Sequence, residues 1–269
     1  MTTSLAVIGF GTMGQAIISG LVEASGYPPE RFVVFDKGKP ARERARSMGL
    51  ACSGSAVEAA RQAATILLCV KPKDLDGLLA DLAASGALDH RPLLISIAAG
   101  ASLGHIGAQV PEGTPVVRAM PNTPCGIRMG TTVLAMGVHA TEAHLDQART
   151  MFEPLGAVLA LEEHHMDAVT GLSSSGPAFI FLILDALAEG GVLCGLPRSI
   201  ALELSARMTM GAAAMVLQTG RHPAALKDDV TTPAGCTVAG LLALEDGRIR
   251  SVIARAVERA SQVAGKLGR

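Results

Sequence analysis

Leu5-Ala-Val-Ile-Gly-Phe-Gly-Thr-Met-Gly14 is an apolar run that breaks into three spaced glycines. A helical stripe follows, with Met13, Ala16, Ile17, Gly20, Leu21 and Ala24 recurring on one face. Strand, glycine turn and helix in that order are the context in which G-x-G-x-x-G carries information. Gly9 permits the tight turn, Gly11 lets a pyrophosphate approach the backbone, and Gly14 lets the helix pack close on the strand. The backbone of Gly9, Phe10, Gly11, Thr12, Met13 and Gly14 would then meet the diphosphate, with the helix start favouring its charge. The stretch predicts a dinucleotide-binding fold.

The same alternation continues outward. Phe32–Phe35, Thr65–Val70, Pro92–Ile97 and Pro115–Met120 read as further buried strands separated by helical patterns, among them the basic Arg42–Met48 run. Thr131–Met136 and Ala157–Leu161 read as closing strands around a helix at Glu142–Phe152. Continuously apolar strands alternating with helices imply a parallel sheet covered on both faces. Beyond Glu162 the strand signals cease. Helices are expected at Ala178–Cys194, Arg198–Gln218, Ala234–Leu244 and Arg248–Lys266, with a short turn at Pro223–Asp228. The reading is an α/β Rossmann-like domain over residues 1–162 and an all-α domain over 163–269 that dimerises and carries the substrate site.

Composition narrows the class. The chain has 269 residues, enough for two domains. Only 17% are charged, against an average of about 25%, and 49% are apolar, mostly small aliphatics. Such a surplus points to surface hidden between subunits. A net charge of −1 gives no footprint for nucleic acid and no polybasic membrane patch. The cysteines are five, an odd number, and never form C-x-x-C, which fits a reducing cytoplasm. No signal peptide is read at the N-terminus. The greasiest stretch, Ala178–Leu196, carries Asp185 and Glu189 in its middle, which argues against a membrane span. His164 and His165 lie beside Glu162 and Glu163, but adjacent side chains point apart, so no metal site is expected.

The candidate site residues cluster at strand ends and in two polar loops. Asp36, about 20 residues past the last glycine, stands where an acidic group bonds the adenosine ribose. Lys37, Lys39 and Arg42 are close enough to hold a 2′-phosphate instead, so NADH and NADPH both remain open. Val70-Lys71-Pro72 and Ile97-Ala98-Ala99-Gly100 end two strands, where ligands of such sheets bind. In Met120-Pro-Asn122-Thr-Pro124 two prolines fix one amide side chain that could read a carboxamide.

Thr170-Gly-Leu-Ser173-Ser-Ser175-Gly-Pro177 is the first polar loop, with Gly176 read as an N-cap and Pro177 as the first helical residue. The amides of Ala178 and Phe179 would then face back toward the serines. Asp228-Asp-Val-Thr-Thr232-Pro-Ala-Gly235-Cys236-Thr237 is the second, with Thr232 read as N-cap and open amides at Ala234, Gly235 and Cys236. Neither loop, residues 170–177 or 228–237, holds an arginine. An anion there is held by neutral donors, as suits one small carboxylate. The helices at 178–194 and 198–218 hold no Lys or His, and so no base for oxidising an alcohol. That counts against a 3-hydroxyacid dehydrogenase. The other alternative is a non-catalytic dinucleotide sensor.

Together Gly9–Gly14, Val70-Lys-Pro72, Ser96–Gly100, Arg118-Ala-Met-Pro-Asn-Thr-Pro124, Val169–Ala178 and Leu226–Thr237 make the chain resemble pyrroline-5-carboxylate reductase, over its whole length. The resemblance implies NAD(P)H-dependent reduction of 1-pyrroline-5-carboxylate to L-proline, the last step of proline biosynthesis. It implies a homodimer, assembled further into a ring. It places Val70, Lys71, Ala98 and Asn122 against the cofactor. Thr232, Gly235, Cys236 and Thr237, with Ser175, would surround the substrate carboxylate, and Thr170 would sit near the ring nitrogen. Family members commonly show Ser-Gly-Ser-Gly-Pro-Ala-Tyr where this chain has Ser173–Ser175 and Phe179. They often show Pro-Gly-Gly where Pro233 precedes Ala234, and Asn where Ala56 and Asp229 stand.

Overall fold

The computed structural model describes residues 5–267. Eight strands form one sheet: β1 Leu5–Ile8, β2 Phe32–Phe35, β3 Ala51–Cys52, β4 Thr65–Leu68, β5 Leu93–Ser96, β6 Val116–Met120, β7 Gly130–Met136 and β8 Gly156–Ala160. Their order is β3-β2-β1-β4-β5-β6-β7-β8. Every neighbouring pair is parallel except β6 and β7. The link between those two is the short turn Thr123–Ile127, too short for the crossover that a parallel return needs. β3 has two residues, below the length at which any period can be read from sequence.

The central strands are mostly apolar because both of their faces are covered. β1, β4, β5 and β6 are buried at every position. One face packs Ile8, Ile66 and Leu68 with α3 (Ala56–Arg61) and with Leu75, Leu79 and Leu82 of α4 (Pro72–Ala84). The other packs Val7, Phe32 and Leu67 with Ile17, Ile18 and Leu21 of α1 (Thr12–Ser25) and with Phe152 of α6 (Glu142–Phe152). Between these, α2 spans Lys39–Ser47 and α5 Leu103–Gly107, and α7 follows at Met166–Val169.

The chain packs as two compact units, Met1–Ser175 with Glu258–Arg269, and Gly176–Val257. The second holds α8 (Gly176–Leu193), α9 (Arg198–Thr219), α10 (Pro223–Asp229) and α11 (Cys236–Asp246). α12 (Ile249–Ala264) runs from it back into the first. The segment read from sequence as a turn after Pro223 is helical, with Pro223 at its first position. α8 and α9 lie side by side; a methyl at Gly191 would fall 2.9 Å from Ala201 Cβ. Within this unit many large apolar side chains face outward, including Phe181, Leu182, Leu193, Met208 and Leu217. Two helical stretches, Glu163–Leu193 and Arg198–Thr219, are long and apolar enough to cross a membrane by length and composition alone.

Candidate functional site

Strand order reverses between β1 and β4, and that is where an open α/β sheet offers a crevice at its carboxyl edge. Gly9 turns there at φ +97°, donating its N–H to the Phe35 carbonyl at 2.8 Å. A methyl group on it would lie 2.7 Å from the Cys69 carbonyl carbon and oxygen. A methyl on Gly14 would lie 2.6 Å from the Gly9 carbonyl. Gly11 is different: nothing lies within 4 Å of where its Cβ would be. Its bareness serves an approaching ligand and not the protein's own packing. α1 starts at Thr12 with no side chain capping it, so the first-turn amides of Thr12, Met13 and Gly14 stay open.

A cleft of about 240 Å³ occupies this edge. It gathers Gly9, Gly11, Asp36, Lys37, Val70 and Lys71, together with Cys69, Asp74 and Leu78, which the sequence reading left out. Leu78 belongs to the inward stripe of α4, so its signal is helical periodicity and not a motif. Pro72, Ala98, Met120 and Asn122 do not line the cleft. Pro72 opens α4, while Ala98 and Met120 lie in the core beneath the strand ends. Phe10 is wholly buried, and its amide donates to Asp36 Oδ2 at 2.6 Å. Burial pushes the Cys69 thiol up, so it stays protonated and is no nucleophile.

The charges around the mouth are mutually engaged. Asp36 Oδ1 accepts from the Gly38 amide at 2.7 Å. Arg42 Nη1 donates to the Asp36 and Lys37 carbonyl oxygens at 2.6 and 2.9 Å. Lys37 lies 3.6 Å from Asp74 and Lys39 lies 3.8 Å from Glu43. Open amides and a bare Gly11 fit the diphosphate of a dinucleotide.

A second cluster joins β6 to the segment after β8. Arg118, 3% exposed, places Nη1 3.3 Å from Glu163 Oε1 and Nη2 3.7 Å from Asp167 Oδ1. Glu163 also accepts the Leu103 amide. A lone arginine in the strand run Pro115–Met120 was the available signal for this anchor, because a buried cation demands partners. Past α7 the helix widens into a π turn, Thr170–Ser174, closed by Ser175 N–H donating to the Thr170 carbonyl at 2.9 Å. Such turns recur at functional sites. Asn122 clips this turn to the sheet. Its Nδ2 donates to the Ser173 carbonyl at 3.3 Å and its Oδ1 accepts the Thr131 amide at 2.9 Å. Ser174 Oγ donates to the Pro121 carbonyl at 3.1 Å. Both ends of the Asn122 amide are therefore committed to holding the backbone.

α8 begins at Gly176 with Pro177 as its second residue, but it is not entered from an extended loop. Ser175 keeps right-handed helical angles, φ −84° and ψ −27°, so helical residues run directly into Gly176. Thr170 is buried and its Oγ1 donates to the Met166 carbonyl at 2.8 Å.

The second polar loop does contain a helix start, three residues later than read. Thr232 does not cap it. The Gly235 amide donates to the Thr232 carbonyl at 3.0 Å, closing a turn over Pro233 and Ala234. Gly235 is the N-cap, without a side-chain cap bond, and α11 begins at Cys236. Open amides therefore lie at Cys236, Thr237 and Val238. Arg221 Nη1 donates to Asp229 Oδ2 at 2.6 Å and holds that carboxyl below its usual range. Ala234 sits at φ +58°, a region that suits glycine. The Pro-Gly-Gly common in the resembling family places glycine at this position. Ala234→Gly is expected to gain about 1 kcal/mol in urea unfolding; a loss of stability would show the turn to be relaxed with alanine.

Among the described residues no group of three or more His, Cys, Asp or Glu is placed to hold a metal ion. What the site offers is a dinucleotide cradle and uncharged donors.

Comparison with known proteins agrees in both halves. Residues 163–267 match the family model for pyrroline-5-carboxylate reductase dimerisation, and residues 4–100 that for NADP oxidoreductase, coenzyme F420-dependent. The pyrroline-5-carboxylate reductase of Synechocystis is 41% identical over 270 residues, covering 100% of both chains. That of Methanosarcina acetivorans is 40% identical over 263 residues, covering 97% of each. Among solved structures, the Plasmodium falciparum pyrroline carboxylate reductase with NADP bound superposes with a TM-score of 0.90 at 27% identity, covering 99% of this chain and 98% of that one. The Coxiella burnetii pyrroline-5-carboxylate reductase gives 0.89 at 30% identity over the whole of both. With the α/β sheet, the helical half and full-length similarity in agreement, the chain belongs to the pyrroline-5-carboxylate reductase family.

Proposed function

We propose that the chain reduces 1-pyrroline-5-carboxylate to L-proline with NADPH or NADH, the last step of proline biosynthesis. One observation supports this most: a helix start at Cys236 whose open amides have no side-chain cap, in a chain that also carries a dinucleotide cradle. The nicotinamide supplies the hydride when bound. The amides of Thr12–Gly14 receive the diphosphate, Asp36 the ribose, and Val70 and Lys71 flank the cleft. Asn122 is a positioning residue, fixing the π turn that carries Thr170.

An imine becomes electrophilic once solvent protonates it, so its reduction needs positioning more than a strong acid. Thr170 suits that division of labour. Its hydrogen is given to the Met166 carbonyl, which leaves its oxygen to accept from the ring N–H. Thr232, Gly235, Cys236 and Thr237, contributed by a second copy of the chain, hold the carboxylate through hydroxyls and amides, with Ser175. Thr237→Ala is expected to raise the substrate KM about tenfold with kcat nearly kept, the worth of one hydrogen bond to a charged group. An unchanged KM removes Thr237 from the site.

The exposed apolar faces of α8 and α9 are covered by a second copy of this chain, the dimers assembling further into a ring. The dimerisation match supports the first part of that reading. The same coverage accounts for the two long apolar helices without a membrane, and a net charge of −1 offers nucleic acid no attraction. The five free cysteines support a reading in which the protein works in a reducing cytoplasm. The test is steady-state oxidation of NADH and NADPH by the purified protein. Turnover dependent on 1-pyrroline-5-carboxylate, yielding proline, is expected. Dinucleotide binding with no turnover would leave a sensor, and activity on a 3-hydroxyacid would revive the dehydrogenase.

A further inference from the structure

NADPH differs from NADH by a phosphate on the adenosine 2′-oxygen, and the end of β2 is where that oxygen lies in this class of sheet. Asp36 stands at this point and is not free to turn away. One of its oxygens accepts the Phe10 amide at 2.6 Å and the other the Gly38 amide at 2.7 Å, so the carboxylate is tied to both turns that form the mouth. A carboxylate has about four lone-pair sites. Two are taken, and the remaining ones are left for ribose hydroxyls, which can donate. A 2′-phosphate has no hydrogen to give and adds up to about two negative charges beside a fixed one.

The nearby cations do not offset this. Arg42 points its Nη1 at the carbonyls of Asp36 and Lys37, bracing the loop from behind. Lys37 is drawn to Asp74 and Lys39 to Glu43. Of the ionisable groups lining the cleft, Lys37 and Lys71 are matched by Asp36 and Asp74.

The geometry points to Asp36 as the residue that makes this chain favour NADH over NADPH. The inference rests on the reductase reading and refines it. It is tested by fluorescence titration of the full chain with each reduced dinucleotide, without substrate, so that binding and not turnover is read. NADPH is expected to bind at least about tenfold more weakly than NADH, the scale of one close like-charge contact. Asp36→Ser should tighten NADPH binding and erase most of that ratio. Asp36→Asn, which keeps one acceptor oxygen for a backbone amide, should do the same where the serine variant folds poorly. Wild-type protein that binds NADPH as tightly as NADH overturns the inference, as does a ratio unchanged in both variants. Binding of neither dinucleotide, with no turnover of 1-pyrroline-5-carboxylate, overturns the reductase reading as well; turnover with NADPH preferred overturns only the role of Asp36.

Discussion

Gly9→Ala is expected to cost about 3 kcal/mol of stability and to abolish dinucleotide binding, because two penalties fall on one atom. The residue turns at φ +97°, and its Cβ would enter the Cys69 peptide at 2.7 Å. That neighbour is backbone of β4's end, held by Cys69 N–H donating to the Ile8 carbonyl at 2.8 Å, and has no rotamer by which to retreat. Gly11→Ala is the control. Gly11 lies at φ −73° with open space around its Cβ position. Alanine fits there, and stability should hold or rise by about 0.5 kcal/mol through the unfolded chain. The cofactor KM should nonetheless rise about tenfold or more, since the methyl occupies the diphosphate's approach. Urea unfolding and cofactor titration on both variants separate the roles. Equal effects on stability would mean that the two glycines do the same work.

Glu163→Ala is the second large effect, a loss of about 3 kcal/mol. It strands the buried Arg118 cation with Asp167 at 3.7 Å as its remaining charged neighbour. Arg118 already has two nitrogens, Nε and Nη2, without a hydrogen bond, so it has little to fall back on. Glu163 is itself about a third exposed, which puts the cost at the low end for broken buried pairs. Glu163→Gln keeps an acceptor for the Leu103 amide and should lose roughly half as much. Because this anchor holds the helix that leads into the π turn, kcat should fall along with stability. A loss below about 1 kcal/mol in urea unfolding of Glu163→Ala would show that Arg118 does not depend on it.

The sheet was legible because burial on both faces leaves a mark that survives without any structure. Continuous runs such as Leu5–Ile8 and Leu93–Ser96 can only be covered strands, and the glycine spacing fixed which turn receives a ligand. β3 was not legible, since two residues carry no period. The antiparallel turn of β7 followed from a short link and not from any strand residue. Proline misled at the second polar loop. It marks a first helical position only when the chain enters from an extended segment. Pro233 belongs to a tight turn with Ala234 and opens no helix, whereas Pro177 is the second residue of α8. Asn122, whose amide the sequence suggests for a carboxamide, instead holds backbone on both sides. Arg118 carries its own signal, since a single charge in a buried strand calls for partners.

All of this turns on uncharged donors gripping a small carboxylate. A crystal structure of the protein with L-proline and cofactor tests it most directly. The account predicts proline's carboxylate oxygens within hydrogen-bond distance of the Cys236 and Thr237 amides, with its ring nitrogen toward Thr170. Proline held instead by an arginine or lysine side chain, or bound away from residues 232–237, would contradict it.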